Sequence, residues 1–237
     1  MTQSKAVVIL SGGQDSTTCM AIAATQFEEL YAITFDYGQR HRVEVESAEA
    51  VAKLLGAKHH QTLHIPRVLG GTSPLVSDNP LGTYASVEEL PGGVEPTFVP
   101  GRNLLFLTLA ANYATQVGAR DLFTGLCQAD YGGYFDCRQT FVDAAQVALG
   151  EAIYGDPQGF KIHTPLMDLS KSESVTLAAQ VLGERFDEVF ENTHTCYAGV
   201  RGGCGECHAC LLRDRGFQEA GIADPLWRIK PRAGVLV

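Results

Sequence analysis

The stretch VVILSGGQDSTTCMAIAA, from Val7 to Ala24, most narrows what this chain can become. An apolar, β-branched run ends in two adjacent glycines, and a helical pattern of small residues follows. Glycines at the C-terminal end of a strand let successive backbone N–H groups converge, and the following helix adds partial positive charge at its N-terminus. That combination cradles phosphate, where an ordinary strand-to-helix turn would need no such cluster. No Lys follows the glycines as in a P-loop, and Gly12 and Gly13 are adjacent, unlike the spaced glycines of the dinucleotide fingerprint. Ser11, Ser16 and Thr17 supply hydroxyls for phosphate oxygens, and Asp15 supplies a carboxylate for magnesium.

The rest of the chain can hold such a loop. With 237 residues, 45% of them hydrophobic, it can bury a sizeable core as one large domain or as one domain with a small appendage. The N-terminal apolar run is too short for a secretory signal and lacks a cleavage site, and NLLFLTLAANYA is well short of a bilayer span. The expectation is a soluble cytoplasmic protein with no membrane association. A formal net charge of -9 argues against a nucleic-acid partner held by bulk electrostatics.

Strand-like and helical runs alternate. Strands are expected at 6–10, 29–37, 59–65 and 121–126, and helices from about Ser16 to Gln26, Val43 to Leu55, Asn103 to Val117 and Arg138 to Ile153. This βαβ rhythm predicts an α/β fold on a parallel sheet. Residues 66–100, rich in Gly, Pro, Ser and Asp, predict a long loop or partly ordered lid over a site. SKSE at 170–173 predicts a capping box that opens a helix reaching about Leu182.

Of seven cysteines, four crowd together near the C-terminus with the spacing C-x7-C-x2-C-x2-C: Cys196, Cys204, Cys207 and Cys210. Four thiolates suit a tetrahedral, structural zinc ion, one per chain; an iron–sulfur cluster and a redox dithiol share this spacing. His208 lies inside the cluster as an alternative ligand. Arg201, Arg213 and Arg215 either offset the charge of a tetrathiolate site or form a solvated face.

SGGQDS (11–16) resembles the signature of the PP-loop ATP pyrophosphatases, whose members split ATP between the α and β phosphates and transfer AMP to a substrate oxygen. The resemblance tightens with FDYGQRH (35–41), VPGRN (99–103), GYFDCR (133–138), TPLMDLSKSE (164–173) and the TCY and CGECHACLLR runs of 195–213, in this order. Together they are similar to the 7-cyano-7-deazaguanine synthase (QueC) family over nearly the whole chain.

That resemblance implies a Rossmann-like (adenine nucleotide alpha hydrolase-like) sheet with flanking helices, with an adenylation domain over 1–185 and a zinc-binding region over 186–237. It implies a C–N ligase that converts 7-carboxy-7-deazaguanine, ammonia and two ATP into 7-cyano-7-deazaguanine for queuosine in tRNA. Leu10, Ser11, Gly12, Gly13, Gln14, Asp15, Ser16, Thr17, Thr18, Cys19 and Met20 are then expected to form the ATP and magnesium site. Asp15, Arg102 and Lys171 are the expected catalytic residues. Arg40, His41, Asp130, Tyr134, Asp136 and Arg138 are the expected substrate contacts, with Tyr131, Tyr134 or Phe135 available to stack on a guanine-like ring.

The chain departs from the family pattern DxSGYPDCR at Gly132 and Phe135, and it varies at His194. The first two changes leave room for an altered substrate or for an enzyme that stops at the amide. A tRNA thiolase with Cys127 or Cys137 as sulfur carrier, and a non-enzymatic zinc and nucleotide module, are the other readings. A symmetric homodimer is the base expectation for a soluble enzyme.

Overall fold

The computed structural model describes residues 4–39, 43–66, 68–128 and 133–229. Five strands form one parallel sheet: β1 (Lys5–Ile9), β2 (Glu29–Asp36), β3 (His59–His64), β4 (Asp121–Phe123) and β5 (Lys161–His163). Their order across the sheet is β3-β2-β1-β4-β5, so the chain reverses direction of travel between β1 and β4. In an open parallel sheet that reversal leaves a crevice beyond the strand C-termini, where ligands bind.

Strand alternation sorts the core into two layers. Ala6, Val8 and Leu10 of the first strand and its exit, with Leu30 and Ala32 of β2, face one side. There they meet α1 (Gln14–Ala24), α2 (Val43–Leu54), α5 (Lys171–Leu182), α6 (Phe186–Phe190) and Phe217 of α7 (His208–Ala220). Val7, Tyr31, Ile33 and Phe35 face the other side, against α3 (Arg102–Val117) and α4 (Gln139–Tyr154). A short α8 (Pro225–Ile229) follows α7. No helix among the described residues is long and apolar enough to cross a membrane.

The expected elements are present with shifted ends. The expected strand over 121–126 stops at Phe123, where the chain turns toward the glycine loop after β1. A Cβ on Gly125 would stand only 3.0 Å from the backbone of Asp15 and Ser16. The capping box forms as written: Ser170 Oγ accepts from the Glu173 N–H, and Glu173 Oε2 accepts from the Ser170 N–H at 2.8 Å.

The described residues of the 66–100 segment are irregular apart from one 3-10 turn at Val87–Glu89, yet they enclose a buried polar nucleus. Glu95 and Thr97 are 2% and 1% exposed. One Glu95 carboxylate oxygen accepts from both the N–H and the hydroxyl of Thr97, and Ser73 Oγ donates to Thr97 O at 2.9 Å. Leu81 packs on the cysteine cluster and Tyr84 N donates to Glu206 O at 2.8 Å, which ties this segment to the C-terminal region.

Candidate active site

At the reversal point the chain leaves β1 into the glycine loop. Gly12 adopts φ +83°, and a Cβ there would lie 2.5 Å from Glu44 O and 2.7 Å from Ala48 N, so only glycine lets the loop rest on α2. Two hydroxyls brace the turn. Ser11 Oγ and Ser16 Oγ stand 3.0 Å apart, Ser16 Oγ donates to Gly13 O, and Ser11 Oγ accepts from the Gly13 N–H. Gln14 Oε1 and Thr17 Oγ1 are buried with no hydrogen-bond partner among the described residues. Buried polar atoms are costly unless something bonds them, and of these two residues Gln14 lines the cavity described next.

The loop opens into a cavity of about 310 Å³. Leu10, Ser11, Gly13, Gln14, Asp15 and Ser16 line it, with Arg102, Lys171 and Tyr134. The structure thus brings together all three expected catalytic residues, 156 positions apart at the extremes. Lys171 Nζ donates to Asp15 Oδ2 at 2.6 Å. Arg102 Nη1 is 3.5 Å from Tyr37 Oη, and both residues line the cavity. Gly12 and Thr17 support the loop from behind, Thr18 is buried with its hydroxyl on Gln14 O, and Cys19 and Met20 lie in the core.

The expected substrate residues divide. Tyr134 lines the cavity, its hydroxyl 2.6 Å from Thr97 Oγ1 and its ring stacked on Phe98. Burial pushes its phenol up to about 12. Asp136 lies outside the lining. Its Oδ2 accepts from the Asn103 N–H at 3.3 Å at the start of α3, and burial raises its carboxyl. Arg138 is exposed and sits over the Phe135 ring. Phe135 is itself 55% exposed and outside the lining, so the family departure at this position falls beyond the cavity wall. Arg40, His41 and Asp130, like Tyr131 and Gly132, lie outside the described residues. Cys127 and Cys137 both line the cavity.

Several lining residues escaped the sequence reading. Phe35 stacks on Phe106 at 4.2 Å, and with Tyr37 and Tyr197 these rings give the cavity flat apolar walls. Glu44 lines it from the first turn of α2, and burial lifts its carboxyl from 4.5 to about 7 against the pull of Arg102. The signal for Glu44 was a carboxylate just beyond a strand end, but such residues are common on exposed helix faces.

Cys196, Cys204, Cys207 and Cys210 converge as expected, all four Sγ atoms within 4.8 Å of one another. The N–H groups of Cys204 and Cys207 point at Cys196 Sγ and Cys204 Sγ, both at 3.3 Å. These donors stabilise thiolate, and the cluster can hold a metal ion. His208 lines the cavity instead of joining the ligand set. The three arginines each pair with a carboxylate: Arg201 with Glu46, Arg215 with Glu219, and the buried Arg213 with Asp224. Arg213, 1% exposed, is therefore a core residue, contrary to the solvated face considered for it.

One stretch joins the two sites. His194 N donates to Gly12 O at 2.8 Å, and the ring of His194 bonds Cys196 O at 3.0 Å. The glycine loop and the first cysteine are two hydrogen bonds apart.

The family model for the queuosine biosynthesis protein QueC matches residues 5–221. The chain is also 62% identical over 226 residues to 7-cyano-7-deazaguanine synthase of Gloeobacter violaceus, covering 95% of this chain and 97% of that one. The chain belongs to the QueC family. Among solved structures, NMN synthetase from Francisella tularensis is similar in fold, with TM-score 0.50 and 15% identity over 98% of this chain and 80% of that one. The QueC match spans both the glycine loop and the four cysteines, so both are parts of one family unit.

Proposed function

We propose that the chain is an ATP-dependent C–N ligase that converts 7-carboxy-7-deazaguanine and ammonia into 7-cyano-7-deazaguanine, consuming two ATP and releasing two AMP and two pyrophosphates. The observation that carries this reading is the 62% identity to a synthase of that name, continuous over 95% of the chain.

A carboxylate resists attack by ammonia until one oxygen carries AMP. Ammonia then displaces AMP to give the amide, whose oxygen is adenylated in turn and lost with AMP to leave the nitrile. One cavity serves both rounds, so the protein's work is to position reactants and to stabilise charge. Loop N–H groups and the Ser11 and Ser16 hydroxyls hold the phosphates, while Thr17, expected among them, stays behind the loop. Lys171 and Arg102 face the charge that develops as pyrophosphate leaves. Asp15 would hold magnesium, which when bound neutralises phosphate oxygens and sharpens their alignment. Tyr37, Phe106, Tyr134 and Tyr197 form the walls against which a deazaguanine ring stacks.

The division at residue 185 is one of labour: the first part activates the acid, and the second holds the metal and props the loop through His194. Zinc is the metal we assign to the cysteines. A zinc ion bonded to four sulfurs at about 2.3 Å sets neighbouring sulfurs about 3.8 Å apart, and Cys204 Sγ and Cys210 Sγ lie 4.0 Å apart. A cluster whose ligands sit on separate irons needs a wider spread. The working enzyme is taken to be a cytoplasmic homodimer.

The test is product analysis after incubating the protein with the acid, ammonia, ATP and magnesium. Nitrile with two AMP per turnover supports the reading. Amide alone shows a ligase that stops half-way, and no acid-dependent AMP overturns it.

A further inference from the structure

Glu44 has no task in the scheme above. Its main-chain oxygen abuts Gly12, and the residue lines the cavity with Asp15, Arg102 and Tyr197. Among the described residues its carboxylate makes no hydrogen bond and no ion pair, and Arg102 is the guanidinium whose field reaches it. A carboxylate beside a phosphate site repels the nucleotide unless what it holds is a cation or an N–H donor. The proposed reaction brings one small reactant of that kind to the activated carbonyl.

We propose that Glu44 is the ammonia-binding residue: its carboxylate receives ammonium beside the adenylated acid and takes the proton that frees the nitrogen lone pair. The inference rests on the ligase reading. Ammonium gives one proton to a Glu44 oxygen, and the freed pair forms the C–N bond at the carboxyl carbon. The bond from that carbon to the AMP oxygen breaks, and the departing phosphate carries off a second proton from nitrogen. The amide remains. A carboxyl raised to about 7 by burial can accept the proton and release it before the next round.

The experiment separates activation from amination in Glu44→Gln, with metal content and melting temperature checked against the parent. Activation is read as acid-dependent exchange of pyrophosphate into ATP without ammonium. Amination is read as kcat/KM for ammonium. Expected is exchange within about twofold of the parent and an ammonium kcat/KM lower by about 100-fold, partly recovered in Glu44→Asp. Exchange lost in equal measure places Glu44 with ATP or the acid and overturns the proposal, as does an unchanged ammonium dependence. If Glu44→Gln does not fold, Glu44→Asp alone decides by the same two readouts. A parent protein that shows no acid-dependent exchange refutes the ligase reading itself, and this inference falls with it.

Discussion

Lys171 Nζ stands 2.6 Å from Asp15 Oδ2, joining the first turn of α5 to the first turn of α1 beside the glycine loop. The pair is partly exposed, at 15% and 26% of the two side chains, so its contribution to stability is small; under the proposed function its value lies in what it presents to ATP. Lys171→Met is expected to lower acid-dependent AMP release by about 100- to 1000-fold. Asp15→Ala is expected to abolish it. Melting temperatures close to the parent's would assign both effects to chemistry; collapse of either fold would make the pair structural.

Cys204→Ser removes one of four converging thiolates. Expected are loss of bound metal by elemental analysis and a destabilisation of about 4 kcal/mol or more, because an ion bound only by the folded chain stabilises it by mass action. A chelator added to the parent should give the same drop. Full metal retention with an unchanged melting temperature would contradict the ligand assignment.

Gly12→Ala puts a methyl group against the backbone of α2 at a position where φ is +83°. Neither Glu44 O nor Ala48 N can give way without moving the helix. The expected outcome is a lower melting temperature and AMP release reduced by about 100-fold, the order of effect of a misplacement near 1 Å. An unchanged apparent KM for ATP would show that loop shape matters less than the hydroxyls.

Asp224→Ala strands Arg213 in the core. The guanidinium donates to both oxygens of Asp224, at 2.6 and 2.8 Å, and to the hydroxyls of Thr193 and Thr195. Removing the carboxylate should cost about 3–5 kcal/mol in urea denaturation, whereas the double replacement Arg213→Met with Asp224→Leu should cost much less. Equal losses would mean that packing rather than charge is what the pair provides.

Glu44 also predicts a pH dependence of stability. Its carboxyl rises from 4.5 to about 7 on folding, so between those values the folded chain binds more protons than the unfolded one. Its contribution to stability is therefore full below pH 4.5 and is lost as pH climbs through 7. Glu44→Gln should match the parent at pH 4 and exceed it at pH 8 by on the order of 1 kcal/mol, or about 2–4 °C in Tm. A lower Tm for the variant at pH 8 would show a stabilising partner for the carboxylate.

Local chemistry wrote much of this molecule into its sequence. The glycine pair, the Ser170 and Glu173 cap and the four cysteines act over a few residues, so spacing alone pointed to a phosphate loop, a helix start and a metal knuckle. The βαβ rhythm of strand-like and helical runs likewise disclosed the parallel sheet. What only the tertiary structure decided are meetings between distant segments. Asp15 reaches Lys171, Glu44 turns inward, Arg213 is buried on Asp224, and Asp136 serves the start of α3 rather than the cavity. A charged residue looks the same in sequence whether it faces water or a cavity, because its role is set by the field and burial that the other elements impose once they close around it.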